Sequence, residues 1–116
     1  MQSYTLPRTG AAPLTFRGEL IVEQLFTSVY VMEFYIDADG RPRAGNSVLK
    51  VTIGLYRTED GGFAYHAHGR HVPPLWPEHA TGRKETAREH RRSLRHLEDL
   101  QRGDLFKPGP MRFAAS

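Results

Sequence analysis

Two groups of side chains in this 116-residue chain have the types and spacing to do chemistry. The first is a run of cations, Lys84, Arg88, Arg91 and Arg95 with Arg92 beside them, whose steps of four, three and four put a positive charge at each turn of a helix. Such a stripe can match the phosphates of a nucleic acid or an acidic protein surface. Arg102 extends it, but Asp99 lies four residues after Arg95 and Glu98 four before Arg102, so ordinary helix pairs offset the last third. The plain alternative is a solvated face, and no zinc finger, aromatic stacking platform or helix-turn-helix pattern accompanies the stripe. The second group is His66, His68 and Arg70, alternate residues on one face of a strand. Two imidazoles spaced this way could share a zinc ion if His79 or His90 arrived by folding, since His71 belongs to the opposite face. With Arg70 they could instead hold an anion, or they could simply face water.

Other chemistries find no support. The chain has no cysteine, hence no thiolate nucleophile, disulfide or cysteine metal site. Glu19, Glu23, Glu33 and Asp37 supply carboxylates but sit in no acid–base motif, and there is no nucleophile elbow, phosphate loop or dinucleotide fingerprint. Asp37, Asp39 and Gly40 open like a calcium loop, yet the later acidic ligands and the closing Glu are missing, so residues 37–46 read as a turn. The expectation is a protein without cofactor or metal that is not an enzyme. A metal-dependent enzyme at His66 and His68 is the alternative.

The histidines must be positioned by a hairpin. Leu49, Val51, Ile53 and Leu55 alternate with Lys50, Thr52 and Tyr56, the signature of a strand with one face on a core. Glu59, Asp60, Gly61 and Gly62 then supply the Asp-Gly chemistry of a primed turn. The return strand puts Phe63, Tyr65 and Ala67 on one face and His66, His68 and Arg70 on the other. Upstream, residues 14–23 place Phe16, Leu20 and Val22 on one side and Arg17, Glu19 and Glu23 on the other. Gly18 marks a bulge or a close backbone approach. Residues 28–36 give a further strand with Tyr30, Met32, Phe34 and Ile36 on one side; their β-branched and aromatic content argues against a helix.

The cations need a helix, expected over residues 83–102 with Gly103 just past its end. Ala87, His90, Leu94, Leu97 and Gln101 form its packing side, with Leu100 at the margin. Before it, Pro73, Pro74 and Pro77 make residues 72–82 an extended connector carrying Trp76, the single tryptophan. Trp76 is expected to fold back on the core, with an exposed anchor for a partner as the alternative. Residues 1–13 read as a loose lead-in. Residues 103–116 read as a tail that could dock through Leu105 and Phe106.

Two segments, Phe16-Arg17-Gly18-Glu19-Leu20-Ile21 and Leu55-Tyr56-Arg57-Thr58-Glu59-Asp60-Gly61-Gly62-Phe63, resemble the β-rich part of small bacterial proteins named for a C-terminal EXLDI motif. The resemblance spans residues 14–66. This chain has no EXLDI signature and no counterpart of the DNA-binding-like N-terminal segment of some of those proteins. The resemblance implies a strand-rich module and transfers no functional residue.

The formal charge is +3, and seven of the sixteen Lys and Arg residues fall between Arg83 and Arg102, so the basic character belongs to one element. No apolar run approaches the ~18–20 residues of a membrane span, and the N-terminus lacks the pattern of a secretory signal, which points to the cytoplasm. Together these features predict a single α+β domain, a curved antiparallel sheet of about four strands over residues 14–71 with one C-terminal amphipathic helix packed on it. The expected function is a small regulatory binding protein. Lys84, Arg88, Arg91, Arg92 and Arg95 would contact nucleic acid or an acidic protein, with Arg70 and Trp76 adjoining. A second reading is an inhibitor, comparable to an anti-CRISPR protein, that docks on a bacterial nucleic-acid-handling or defence complex. A free sheet edge could also pair two copies.

Overall fold

In the computed structural model the chain folds as a curled antiparallel sheet with one helix on its outer face. The structure describes residues 1–74, 76–103 and 107–113, and the side chains of these except at 30–33 and 110–113. The strands are β1 (Gln2–Arg8), β2 (Ala11–Ile36), β3 (Pro42–Thr58), β4 (Phe63–Val72), β5 (His79–Glu85) and β6 (Lys107–Phe113), with α1 (Ala87–Gln101) between the last two. The order is β1-β2-β3-β4-β5, and β6 shares the edge of β2 with β1. The α+β class and the curvature agree with expectation, but the described residues form six strands where about four were expected.

The three extra strands are edge pieces that carry little of the apolar alternation by which strands are recognised. β1 lies in the expected lead-in, β5 straddles the expected connector and helix start, and β6 lies in the expected tail. Pro7 in β1 and Pro108 and Pro110 in β6 argue against a central strand, but an edge strand tolerates proline. β5 reads as polar because its inward residues are Ala80 and Gly82, which are small enough for the β1–β2 turn to close over them. There Thr9 donates its N–H to the Ala80 carbonyl, and its Oγ1 accepts from the Ala80 N–H, both at 2.8 Å. These bonds pull the two ends of the sheet together. Leu105 and Phe106, expected to dock the tail, lie outside the described residues.

β2 is continuous where two strands were expected. At ~3.3 Å per residue, 26 residues would run about 85 Å, yet the longest dimension of the molecule is 48 Å, so the strand must bend. One bend is a bulge between Leu20 and Val22. An inserted residue reverses the alternation, so Val22 faces the helix while Phe16 and Leu20 face the concave side. Sequence alternation had put all three on one face. Gly18 is a close approach, since a methyl group there would strike the Arg57 carbonyl. Beyond Val29 and Val48, where the pairing with β6 and β4 has ended, β2 and β3 run on as a two-stranded ribbon. Phe34 is 65% exposed and Ile36 50%, so these residues meet water; Tyr30 and Met32 are outside the described side chains.

Residues 37–41 form the turn of the ribbon. Asp37 Oδ1 accepts the N–H groups of Asp39 and Arg41 at 2.9 Å, and Oδ2 meets Arg43 Nε at 2.9 Å. Arg43 and these backbone donors hold its carboxyl below the usual range, so this carboxylate is committed to the turn. The expected β3–β4 hairpin is present, from Val48↔Val72 to Arg57↔Phe63. Its turn is wider than a primed two-residue turn. Thr58 N–H donates to the Gly62 carbonyl at 3.0 Å across three residues, Glu59, Asp60 and Gly61, and Gly61 takes the positive φ (85°).

Two cores result. Val22, Phe26, Ile53, Leu55 and Leu97 pack between sheet and helix; Leu14, Tyr56 and Ala64 pack with Tyr4, Leu6 and Phe16 on the concave side. Alternate residues of β3 serve both, Ile53 and Leu55 outward and Gly54 and Tyr56 inward. The helix begins later than residue 83 because β5 uses residues 79–85. Thr86 then caps it reciprocally, its Oγ1 accepting from Glu89 N–H at 3.2 Å while Glu89 Oε1 accepts from Thr86 N–H at 3.1 Å. At the other end Gly103 donates to the Leu100 carbonyl at 3.1 Å, as its position suggests. The packing face differs from expectation: Ala87 and Gln101 are exposed, although Gln101 Nε2 still donates to Gln24 Oε1 at 2.9 Å, and Ser93 takes an inward place beside His90 and Leu97.

Candidate functional site

Of the expected cations, Arg88, Arg91, Arg92 and Arg95 share the exposed side of α1. Among the described residues none of the four lies in an ion pair. Their Cα atoms span about 10 Å along the axis, comparable with the Debye length at physiological salt, so they act together as one patch. Lys84 is not among them. It belongs to β5, on the face opposite Arg83 and Glu85, beside Thr58 and Asp60 in a shallow groove. Arg70 also stands apart: it lies opposite Lys50 in the strand register near the far end of β4, on the face away from the helix. Trp76 does not cap the core. It is 54% exposed, with its ring edge-on to His71 at 5.0 Å. Arg57 and Arg83, which spacing did not single out, come near the start of the helix. Arg83 acts on the carboxylate of Glu89 and Arg57 on the ring of His90. Only strand register could have revealed them.

Under the patch a polar cluster fastens the helix. Ser93 Oγ donates to Glu85 Oε2 at 2.6 Å, and Arg83 Nη2 reaches the same oxygen at 3.2 Å. The Glu85 side chain is 0% exposed, and its Oε1 has no hydrogen-bond partner among the described residues. His90 stacks on Phe63, ring centroids 4.0 Å apart and nearly parallel. Burial pushes its pKa below 6.5 against the opposing pull of Glu85. Serine, imidazole and carboxylate are thus close, but the serine proton goes to the carboxylate and the group is sealed from solvent.

His66 and His68 do share a face, though His66 is not open to water. It lines the concave side, is 9% exposed, and its Nε2 lies 2.8 Å from the Pro7 carbonyl of β1. His68 Nε2 meets Glu78 Oε2 at 2.9 Å. The expected anion site with Arg70 is therefore divided, because Pro7 and Glu78 engage the two imidazoles. Among the described residues no three His, Asp or Glu side chains come together as a metal site. His71 and His90 lie on the helix side of the sheet, where they cannot complete one with His66 and His68. A cleft of about 330 Å³ opens beside the two histidines, reached also by Glu23, Thr52 and Tyr56.

No helix among the described residues is long and apolar enough to cross a membrane. No family model, no curated protein and no solved structure matches the chain.

Proposed function

We propose that this is a non-enzymatic, cytoplasmic binding protein that holds the phosphate backbone of a nucleic acid against Arg88, Arg91, Arg92 and Arg95. The observation that carries the reading is the direction of charge along α1. The N-terminus of a helix is its positive end, where cations destabilise and anions stabilise by about 0.3–1 kcal/mol each. In α1 Arg88 lies in the first turn beside Glu89, whose carboxylate is engaged by the Thr86 cap, with Arg91 and Arg92 in the next turn, whereas Glu98 and Asp99 lie in the last. The arginines also repel one another at steps of three and four (88/91, 88/92, 91/95 and 92/95), each pair opposing the helix by about 0.2–0.5 kcal/mol. A face selected only for solubility has no reason to carry this arrangement. A face that meets a polyanion does, because the partner's charge removes both penalties. Among the described residues the patch has no aromatic platform, so the expected contact is to backbone and indifferent to sequence.

The test is a salt titration of binding to mixed-sequence DNA and RNA duplexes. Four phosphate contacts predict a log–log slope of about −3.6 on B-DNA, an affinity loss of about 100-fold between roughly 50 and 200 mM salt. A folded Arg88→Glu, Arg91→Glu, Arg95→Glu variant should lose binding. Failure of the wild type to bind at low salt would remove the nucleic-acid reading and direct the search to an acidic protein surface, as the inhibitor reading requires.

A further inference from the structure

The concave face carries a second cationic feature, beyond the cleft and apart from the helix arginines. Strand register sets Arg70 of β4 opposite Lys50 of β3, Lys50 opposite Thr27 of β2, and Thr27 opposite Lys107 of β6. Cross-strand partners share a face, so Lys107, Thr27, Lys50 and Arg70 form one row across four strands. At about 4.8 Å per strand the row is about 14 Å long, with Lys50 about 5 Å from Arg70 and about 10 Å from Lys107 at Cα. Like charges directly opposite each other oppose the pairing of their strands. Other arginines of the sheet have acceptors: Arg17 reaches Glu59 at 3.5 Å, Arg43 reaches Asp37 at 2.9 Å and Arg57 reaches Glu19 at 3.9 Å. Among the described residues no carboxylate is in an ion pair with Lys50, Arg70 or Lys107. Glu78, which precedes the pair of His79 with Gly69, is engaged by His68 at 2.9 Å. Glu23 is four residues from Thr27 along β2, about 13 Å away, and stands across from Arg112. Three cations against the one nearby carboxylate leave an excess of two positive charges. The row is also open. Next to it lie Val29, Val48 and Val72, and Val29 is 55% and Val72 41% exposed, so among the described residues nothing covers this end of the face.

We propose that this row is a second contact for a nucleic-acid backbone and takes a different segment from the one on α1, so that one molecule joins two segments. For the first segment the inference rests on the helix reading. A row of this length exceeds one small anion: Lys50 and Arg70 clasp one phosphate, Lys107 reaches another, and the Thr27 hydroxyl donates between them. A polyanion there removes the repulsion between Lys50 and Arg70, as it does among the helix arginines. The row and the arginines look away from each other across sheet and helix. DNA is stiff over about 150 base pairs, so a short duplex held on one surface does not reach the other.

The test is capture of a second duplex. A short biotinylated DNA duplex on beads is loaded with the full chain at roughly 50 mM salt, washed, and offered a fluorescent duplex of unrelated sequence. The wild type should capture it. Three contacts give a log–log slope of about −2.7, so the affinity of the row should fall about 40-fold by roughly 200 mM salt. Lys50→Glu turns the opposed cations into a cross-strand ion pair, so its melting temperature should be no lower than that of the wild type. It should capture at least tenfold less while its affinity for a single duplex, held by α1, is unchanged. The Arg88→Glu, Arg91→Glu, Arg95→Glu variant should capture nothing, since its row, with one contact fewer than α1, holds a single duplex about tenfold more weakly than the wild type does. A wild type that binds one duplex but captures no second would overturn the inference and leave the helix reading standing. Equal capture by Lys50→Glu would do the same, placing both contacts on the helices of two copies. Single-duplex binding lost in Lys50→Glu and kept in the helix variant would instead overturn the helix reading and leave the row as the contact. No duplex binding by the wild type would remove both.

Discussion

Replacing Arg88 by Glu should stabilise the fold and weaken polyanion binding together, an outcome that a merely solvated arginine face does not produce. Arg88 is the second residue of α1, directly after Ala87. Its replacement removes a cation from the positive end of the helix and adds an anion, a change of about 0.6–2 kcal/mol from the dipole. It also converts the repulsive pairs with Arg91 and Arg92 into attractive ones, worth about 0.4–1 kcal/mol for each pair. Both effects are screened at the surface, so a net gain of about 1 kcal/mol is expected in ordinary buffer. For 116 residues the unfolding entropy is about 0.24 kcal/mol/K, so the melting temperature should rise by about 4 °C. The capping bonds of Thr86 and Glu89 are untouched, which isolates the charge effect. Calorimetry measures the first arm. Fluorescence anisotropy with a labelled duplex measures the second, where the salt slope should flatten by about one. A melting temperature that falls or stays put would refute the electrostatic account of the helix. A rise with unchanged affinity and slope would show that the patch is not the contact.

Two further outcomes follow from the cluster beneath the helix. Ser93→Ala removes the hydroxyl donor from a buried carboxylate and leaves Glu85 Oε2 to Arg83 alone, so it should cost about 1.5–3 kcal/mol in urea denaturation; a loss under about 0.5 kcal/mol would mean that Glu85 does not depend on the bond. Burial holds the pKa of His90, and of His71, below 6.5, so the unfolded chain takes up protons first as pH falls. Stability should therefore be level above about pH 7 and decline as pH drops below 6.5, before the carboxylates Asp37, Asp60 and Glu89 titrate. A His90→Phe variant, which can still stack on Phe63, should show a shallower decline, and an equal slope in both proteins would rule His90 out as a source.

How far the sequence could be read depends on whether a feature is local. The β3–β4 hairpin, the close approach at Gly18 and the end of the helix at Gly103 are written in short windows, and reading them needs nothing else. The helix start was equally local, since Thr86 and Glu89 form a capping pair. The run of cations from Arg83 onward hid it by suggesting one element where a strand and a helix meet. Lys84 is misplaced for that reason alone. β1, β5 and β6 are strands because something pairs with them, and their prolines, glycines and polar residues announce no strand by themselves.

Faces are a different matter. Alternation says which residues share a side, but not what lies over that side. His66 and His68 share a face as expected, yet it is covered because β1 returns across it, bringing the Pro7 carbonyl to His66. Glu23 is the sharper case. Unbroken alternation groups it with Arg17 and Glu19, away from Phe16 and Leu20. The bulge between Leu20 and Val22 reverses every later residue of β2, sends Val22 to the helix side and delivers Glu23 to the concave cleft. No residue in that window compels a bulge. It follows from the need of β2 to serve two cores, with Phe16 and Leu20 packed on one and Val22 and Phe26 on the other. The same division sets the arginines and the cleft back to back, so Arg70 and the strand histidines cannot extend the helix patch. What joins the two surfaces is β3, whose Ile53 and Leu55 support the helix while Gly54 and Tyr56 floor the cleft.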